Sequence, residues 1–281
     1  MKLNDLFRAY IKDMQRRGVK SIKRTQQFYD NDIRKVLGDR EVSDIIRGDI
    51  ASLLFDITDR SPYTSNKCLS ILKAMFNLAI TLSLVDNNPA LHIHKNREVK
   101  RKRYLTNDEL IAITEELDVL GENKRYTQAC NFIWLLLLTG ARVSEIAKAK
   151  WSDIKGDVLI IKEHKTDKLG EDRIIHITPG VRKILERCDR YSEYIIGIQS
   201  PRYAWDVVRK RVGCADARLH DIRHSYASWS LQKINLSDVG NLLGHKDVAT
   251  TQRYAHIHQD QAIANAQVVG QHIESIIERD L

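Results

Sequence analysis

Val158-Leu159-Ile160-Ile161 and, beyond residues 162–172, Arg173-Ile174-Ile175-His176-Ile177 are the stretches that decide the fold class. Both runs are short and dense in β-branched residues. The Thr166-Asp167-Lys168-Leu169-Gly170-Glu171-Asp172 segment between them has turn composition, so together they predict an antiparallel hairpin. On either side the pattern returns to a helical period. Upstream, residues 129–139 read as a buried helix, followed by Gly140-Ala141-Arg142 and a further helical stretch through Lys150. Thr106-Asn107-Asp108-Glu109 is a capping box that opens the first helix of this region. Downstream, Thr178-Pro179 and Ser200-Pro201 each read as an N-cap with proline at the first helical position. Helix then follows helix to Leu281, with breaks at Gly213 and Gly244. The expected class is mainly α with a small antiparallel β-hairpin or sheet (α+β).

The first 90 or so residues show apolar positions at helical spacing and no strand-like alternation. One stripe joins Leu3, Leu6, Phe7, Tyr10 and Met14, and a second runs from Ser21 through Phe28, Ile33, Val36 and Leu37 to a stop at Gly38. A third lies around Ile45 to Ile57, and a fourth carries Leu69, Leu72, Met75, Ala79 and Leu82 before Asn88-Pro89 closes the set. This predicts a helical domain over residues 1–94, a basic linker over 95–103 and a second domain over 104–281. The linker supplies Lys95, Arg97, Lys100, Arg101, Lys102 and Arg103, placed to lie along a phosphate backbone.

The formal charge is +8 and the pI about 9.2. Lys and Arg outnumber Asp and Glu 16 to 11 in residues 1–96 and 5 to 1 in 97–103, against 24 to 25 in 104–281, so the positive excess belongs to the first third and the junction. That distribution fits a polyanionic partner. The apolar run of residues 132–138 is far short of the roughly 20 residues that span a bilayer. Charge at Lys2, Asp5 and Arg8 is unlike a secretory signal, and a cytoplasmic location is expected. Cys68, Cys130, Cys188 and Cys214 form no C-x-x-C pair and suggest neither a zinc ribbon nor a disulfide framework.

Metal-free cleavage of a phosphodiester needs a nucleophile, a base for it, an acid for the leaving oxygen and cations on the phosphoryl oxygens. The second domain offers each. Arg142 follows a Gly-Ala bend at a helix start, where its fork of donors suits a phosphate. In His220-Asp221-Ile222-Arg223, a histidine and an arginine three apart share one helical face. His224 also sets up a zinc-like i, i+4 pair with His220, but Asp221 stands where the metalloprotease pattern has Glu, and no further ligand cluster completes it. His245 follows the helix-ending Gly244, and Tyr254 comes nine residues later. An unassisted tyrosine, with a pKa near 10, is a poor nucleophile and needs a neighbouring base and cations. Lys165 sits at the hairpin, with Lys162 and Lys168 as rivals for any role there.

The ordered set Gly140-Ala141-Arg142-Val143-Ser144-Glu145, Lys165 in a hairpin, His220-x-x-Arg223-His224, Leu243-Gly244-His245 and Thr250-Thr251-x-x-Tyr254 resembles the tyrosine recombinases of the phage integrase family. The motifs cover residues from about 104 to 260, and the N-terminal bundle resembles the family by architecture. The resemblance implies a two-domain DNA clamp, with Arg142 and Arg223 on the nonbridging oxygens of the scissile phosphate and Tyr254 as the nucleophile forming a 3′-phosphotyrosyl link. It further implies Lys165 as acid toward the leaving 5′-oxygen, His220 as base, His245 as a phosphate hydrogen-bond donor and Glu145 as a brace. No metal, ATP or other cofactor is implied. The implied partners are double-stranded DNA recombination sites and three further copies of the chain; the tail of residues 259–281, whose Ile263, Ala266, Val269, Ile273 and Ile276 make an apolar stripe, either docks onto a neighbouring copy, as in relatives, or packs onto its own domain. An accessory DNA-bending or directionality factor is a further partner of this kind of enzyme.

Many phage integrases carry an arm-binding domain before the bundle, whereas this chain begins with the bundle, as expected of a compact Xer-like enzyme or of a piece of a longer protein. A type IB topoisomerase shares the tyrosine chemistry and is the alternative among enzymes. A catalytically idle DNA-binding regulator of the same fold is the alternative outside them.

Overall fold

The computed structural model describes residues 1–98, 101, 103–161 and 172–244. The chain divides into two compact units, Met1–Arg101 and Lys102–Leu281, each with its own hydrophobic core.

The first unit is helical: α1 (Leu3–Arg16), α2 (Ile22–Phe28), α3 (Arg34–Leu37), α4 (Arg47–Arg60) and α5 (Pro62–Thr81). A π-helical turn, Tyr29–Ile33, joins α2 to α3. It turns Tyr29 inward, where its ring stacks 3.6 Å from Phe7 and its hydroxyl donates to Asn4 Oδ1 at 2.9 Å. The α1 stripe is buried as its spacing predicts. Val36, expected on the second stripe, is 56% exposed instead, because the extra residue of the π turn shifts the phase of everything after it. Gly38 does end α3, with ordinary right-handed backbone. What requires glycine there is space, since a Cβ would stand 2.5 Å from Arg34 O and 2.7 Å from Asn4 Oδ1. On α5, Ser61 caps the N-terminus ahead of Pro62, its hydroxyl accepting from Thr64 N at 3.2 Å.

The start of the expected linker is fastened to this unit. Asn66 on α5 donates to Asn96 O (2.9 Å) and Glu98 Oε1 (2.7 Å) and accepts from Asn96 N (2.7 Å), while Lys73 Nζ donates to Ile93 O (2.9 Å). Lys95 and Arg97 face solvent on this fastened segment.

The second unit contains α6 (Asn107–Gly121), α7 (Thr127–Thr139), α8 (Val143–Lys148), β1 (Ile154–Lys155), β2 (Val158–Ile161), β3 (Arg173–His176), α9 (Pro179–Glu186), α10 (Arg202–Arg211), α11 (Leu219–Leu231) and α12 (Leu236–Leu243). The capping box forms as expected, with Thr106 Oγ1 accepting from Glu109 N at 3.1 Å and Glu109 Oε2 from Thr106 N at 2.9 Å. Thr178 likewise caps α9 ahead of Pro179. Three details differ from expectation. α8 stops at Lys148, because Ala149 turns extended and passes its carbonyl to Ile195 N. Ser200 caps nothing; α10 begins a residue later with Pro201 in the cap position. The sheet has three antiparallel strands in the order β1-β2-β3, since the two-residue strand β1, too short to show a period, pairs with β2. Between β2 and β3 the register sets Leu159 against Ile175 and Ile161 against Arg173. The expected turn at residues 166–172 lies outside the described residues except for Asp172.

The apolar run of residues 132–138 forms the C-terminal half of α7, a helix packed against α6, α9, α10 and α11. Among the described residues, no helix is long and apolar enough to cross a membrane. All four cysteines are buried free thiols.

Candidate active site

Helix α7 ends at Gly140 in the left-handed region, with φ +59°. Any side chain there would be strained, and a Cβ would also stand 2.5 Å from Tyr226 Cδ1. The bend delivers Arg142 to the N-cap of α8 with extended backbone, so its side chain leaves the helix axis near the helix N-terminus. Glu145, one turn on, holds it twice: Arg142 N donates to Oε2 at 2.9 Å and Nη1 donates to Oε1 at 2.6 Å. Glu145 is buried, with a side chain 1% exposed, whereas that of Arg142 is 16% exposed. The brace expected of Glu145 is therefore a direct grip on Arg142, with part of the guanidinium left facing outward.

Arg223 reaches the same bend from α11. It is buried, and its guanidinium donates to Gly140 O (Nη1, 2.7 Å) and Leu243 O (Nη2, 2.5 Å). Those acceptors are the ends of α7 and α12, where terminal carbonyls lack intrahelical partners and carry partial negative charge. Asp221 caps the same helix, accepting from Arg218 N at 2.8 Å, and Ser225 Oγ accepts from Leu105 N at 2.7 Å, so α11 is fixed at both its first and second turns. His220 lies in the first turn of α11, exposed, with its ring edge-on to His224 at a centroid distance of 4.6 Å.

Sequence reasoning missed Arg173. It opens β3, its side chain is 2% exposed, and its Nε lies 3.1 Å from Glu145 Oε2. The signal was present: Arg173 shares the alternate positions of Ile175 and Ile177, so an inward strand face begins with a cation. Burial acts to raise the pKa of Glu145, but the Arg173 charge, then the Arg142 N–H groups, outweigh it and hold the carboxyl below its ordinary value. Burial lowers the pKa of Arg173, with Glu145 opposing.

Arg142 and Arg173 thus flank one buried carboxylate, Glu145, while Arg223 reaches the Gly140 bend just before Arg142 through the Gly140 carbonyl. Guanidinium groups placed this way suit an anion.

Of the linker cations, Arg101 is exposed, while Lys100 and Lys102 lie outside the described residues. Arg103 is engaged with carboxylates instead of lying free: it pairs with Glu109 (2.5 Å) and Asp216 (3.0 Å) and anchors the beginning of the second unit. Lys165, His245 and Tyr254 also lie outside the described residues.

A mostly helical unit with a three-stranded sheet and arginines brought together at one helix bend is the class of protein these observations define. Residues 103–261 match the model of the Phage integrase family and residues 3–96 that of the phage integrase central domain. The chain belongs to the phage integrase family, and it is a tyrosine-type site-specific recombinase. It is similar to a tyrosine recombinase of Thermosipho africanus (strain TCF52B), 26% identical across 91% of this chain and 95% of the relative. Its fold is that of lambda integrase. A lambda integrase dimer bound to a COC′ core site superposes with a TM-score of 0.74 at 21% identity, covering 89% of this chain and 97% of that one. A lambda integrase tetramer bound to a Holliday junction gives 0.75 at 20% identity, covering 90% and 77%.

Proposed function

We propose that this chain cleaves and rejoins duplex DNA at a specific site through a 3′-phosphotyrosyl bond to Tyr254. The observation that carries the reading is that Arg142 and Arg223 meet at one place, the Gly140 bend, where Arg142 leads α8 in the grip of Glu145 and Arg223 donates to the Gly140 carbonyl. A phosphodiester suits this pair of cations, and two guanidinium groups on its nonbridging oxygens stabilise the added charge of the pentacoordinate transition state. The Tyr254 oxygen attacks phosphorus, the bond to the 5′-oxygen breaks, and Lys165 donates the proton that this oxygen takes up. His220 accepts the tyrosine proton, and His245 donates a hydrogen bond to the phosphate. The phosphotyrosine conserves the phosphodiester bond, so attack by a 5′-hydroxyl of another strand reseals DNA without ATP or metal.

The basic residues Lys95, Arg97, Lys100, Arg101 and Lys102 contact the DNA backbone, adding affinity without base readout. Arg103 fixes where that basic segment begins the catalytic unit. Four protomers act on two sites, joined by docking of the 259–281 tail onto a neighbour. The apolar groove lined by Leu110, Ile111, Trp134, Leu138, Trp229 and Ile234, of about 610 Å³, suits an amphipathic stripe of that kind. Work on cellular DNA places the enzyme in the cytoplasm with the nucleoid, where a DNA-bending or directionality factor acts with it.

The test uses a nicked suicide duplex carrying the sequence that this protein selects from a random pool. A covalent adduct formed by the wild type and absent from Tyr254→Phe supports the reading. Absence of adduct in the wild type rejects it, and an adduct accompanied only by supercoil relaxation on paired sites assigns the chain to topoisomerase chemistry.

A further inference from the structure

Strand β3 alternates against β2, with Arg173 and Ile175 on the buried face and Ile174 and His176 on the exposed one. A position on that buried face calls for an apolar side chain, yet it holds a guanidinium. The Arg173 Nε stands at ion-pair distance from Glu145 Oε2, but its N–H is not aimed at the oxygen, and none of its three nitrogens has a hydrogen-bond acceptor among the described residues. Both Glu145 oxygens are already taken by Arg142, through its backbone and its side chain. On the other flank the guanidinium packs against Gly244, whose left-handed turn (φ +62°) ends α12 one residue before His245; a Cβ at Gly244 would overlap Nη1.

If the position served packing alone, an aliphatic side chain would fill it without leaving donors unsatisfied. What Arg173 adds is a charge beside the carboxylate that aims Arg142, and a rigid planar head under the turn from which the chain continues to His245. We propose that Arg173 is a positioning residue of the transesterification, setting Glu145 so that Arg142 faces the phosphate and seating the Gly244 turn that leads into His245. This inference rests on the function proposed above.

The probe is the nicked duplex described above, made with either a phosphodiester or a neutral methylphosphonate at the cleaved position. Arg173→Met, Arg173→Lys and Arg142→Ala are compared by DNA-binding anisotropy, thermal unfolding and single-turnover adduct formation. Arg173→Met is expected to bind the duplex within about 3-fold of wild type while its adduct rate on the phosphodiester falls about 30- to 100-fold, a loss in the chemical step and not in binding. Arg173→Lys keeps the charge but loses the planar head, and its adduct rate is expected about 3- to 10-fold below wild type. On the methylphosphonate the Arg173→Met loss should shrink below about 5-fold, since less charge remains for Arg142 to meet. Adding Arg173→Met to Arg142→Ala should cost little more.

Equal losses on both substrates, additive with Arg142→Ala, would reduce Arg173 to a structural part, and a wild-type rate in Arg173→Met would overturn the proposal outright. If Arg173→Met does not fold, Arg173→Lys decides: a slowed adduct step with unchanged binding upholds the proposal, and an unchanged rate overturns it. A wild-type protein that forms no adduct removes the underlying function as well, an outcome distinct from a wild type that cleaves while Arg173→Met cleaves equally.

Discussion

Arg142 and Glu145 are joined twice, backbone N to Oε2 at 2.9 Å and Nη1 to Oε1 at 2.6 Å, so one buried carboxylate fixes both where α8 begins and where its leading arginine points. Replacing Glu145 by Ala leaves Arg173 buried without its counter-charge and releases Arg142. Loss of one partner of a buried pair costs about 3–5 kcal/mol. A drop of that order in the urea-unfolding free energy, with loss of adduct formation, is expected. Glu145→Gln retains the shape and should lose less stability than Glu145→Ala.

The same carboxylate gives a pH dependence of definite sign. Its folded-state pKa lies below the ordinary value of 4.5, so its ionised form adds stability that is fully present above about pH 4.5 and is lost as pH falls through the lower folded value. Wild type and Glu145→Gln should therefore differ in unfolding free energy at pH 6 and converge on acidification below pH 4.5. Parallel acid-unfolding curves would contradict this.

Gly140 is required on two grounds, a positive φ and contact with the Tyr226 ring. Gly140→Ala should destabilise by at least about 1–2 kcal/mol from backbone strain alone. Because the Gly140 carbonyl accepts from Arg223, the variant's adduct rate should fall further than its melting temperature suggests when assayed well below that temperature.

Lys165 as the acid has a chemical signature. Lys165→Ala should slow cleavage of an ordinary phosphodiester by about 10²- to 10⁴-fold, the usual span for a lost general acid. On a duplex with sulfur in the bridging 5′ position the defect should largely disappear, since a thiolate leaves without a proton. A defect of the same size on both substrates would move the acid elsewhere, with Lys162 and Lys168 next in line.

The thiols should be inert in the native protein. Burial pushes the Cys68 thiol up to about 12 and those of Cys130 and Cys188 up to about 11, and it raises Cys214 as well. A thiol-specific disulfide reagent at pH 8 should titrate four cysteines only after denaturation, because the thiolate is the reactive form. Rapid native labelling would show that the cores open locally.

Much of this molecule is legible locally. The stripe from Leu3 to Met14, the Thr106–Glu109 box, the left-handed Gly140 and Gly244 and the β2–β3 pair all express short-range rules of period, capping and turn chemistry. Local rules failed where the determinant is not local. The π turn at Tyr29–Ile33 moved Val36 to solvent, and β1 exists only because β2 lies beside it.

By itself, the sequence determined the helical class with one small sheet, the order of the motifs and hence the family, because these depend on residue types at fixed spacings along the chain. Only the tertiary structure decided what the arginines touch. Arg223 is oriented by carbonyls 83 and 20 residues away, and Arg103 by an aspartate 113 residues away. Arg173 faces Glu145 because strand register gives it the parity of the core. Period and spacing set which face of an element a residue occupies, but the partner on that face comes from another element. For the same reason, the meeting of Arg142, Arg173 and Arg223 near the Gly140 bend emerges only when α7, α8, β3, α11 and α12 are packed together.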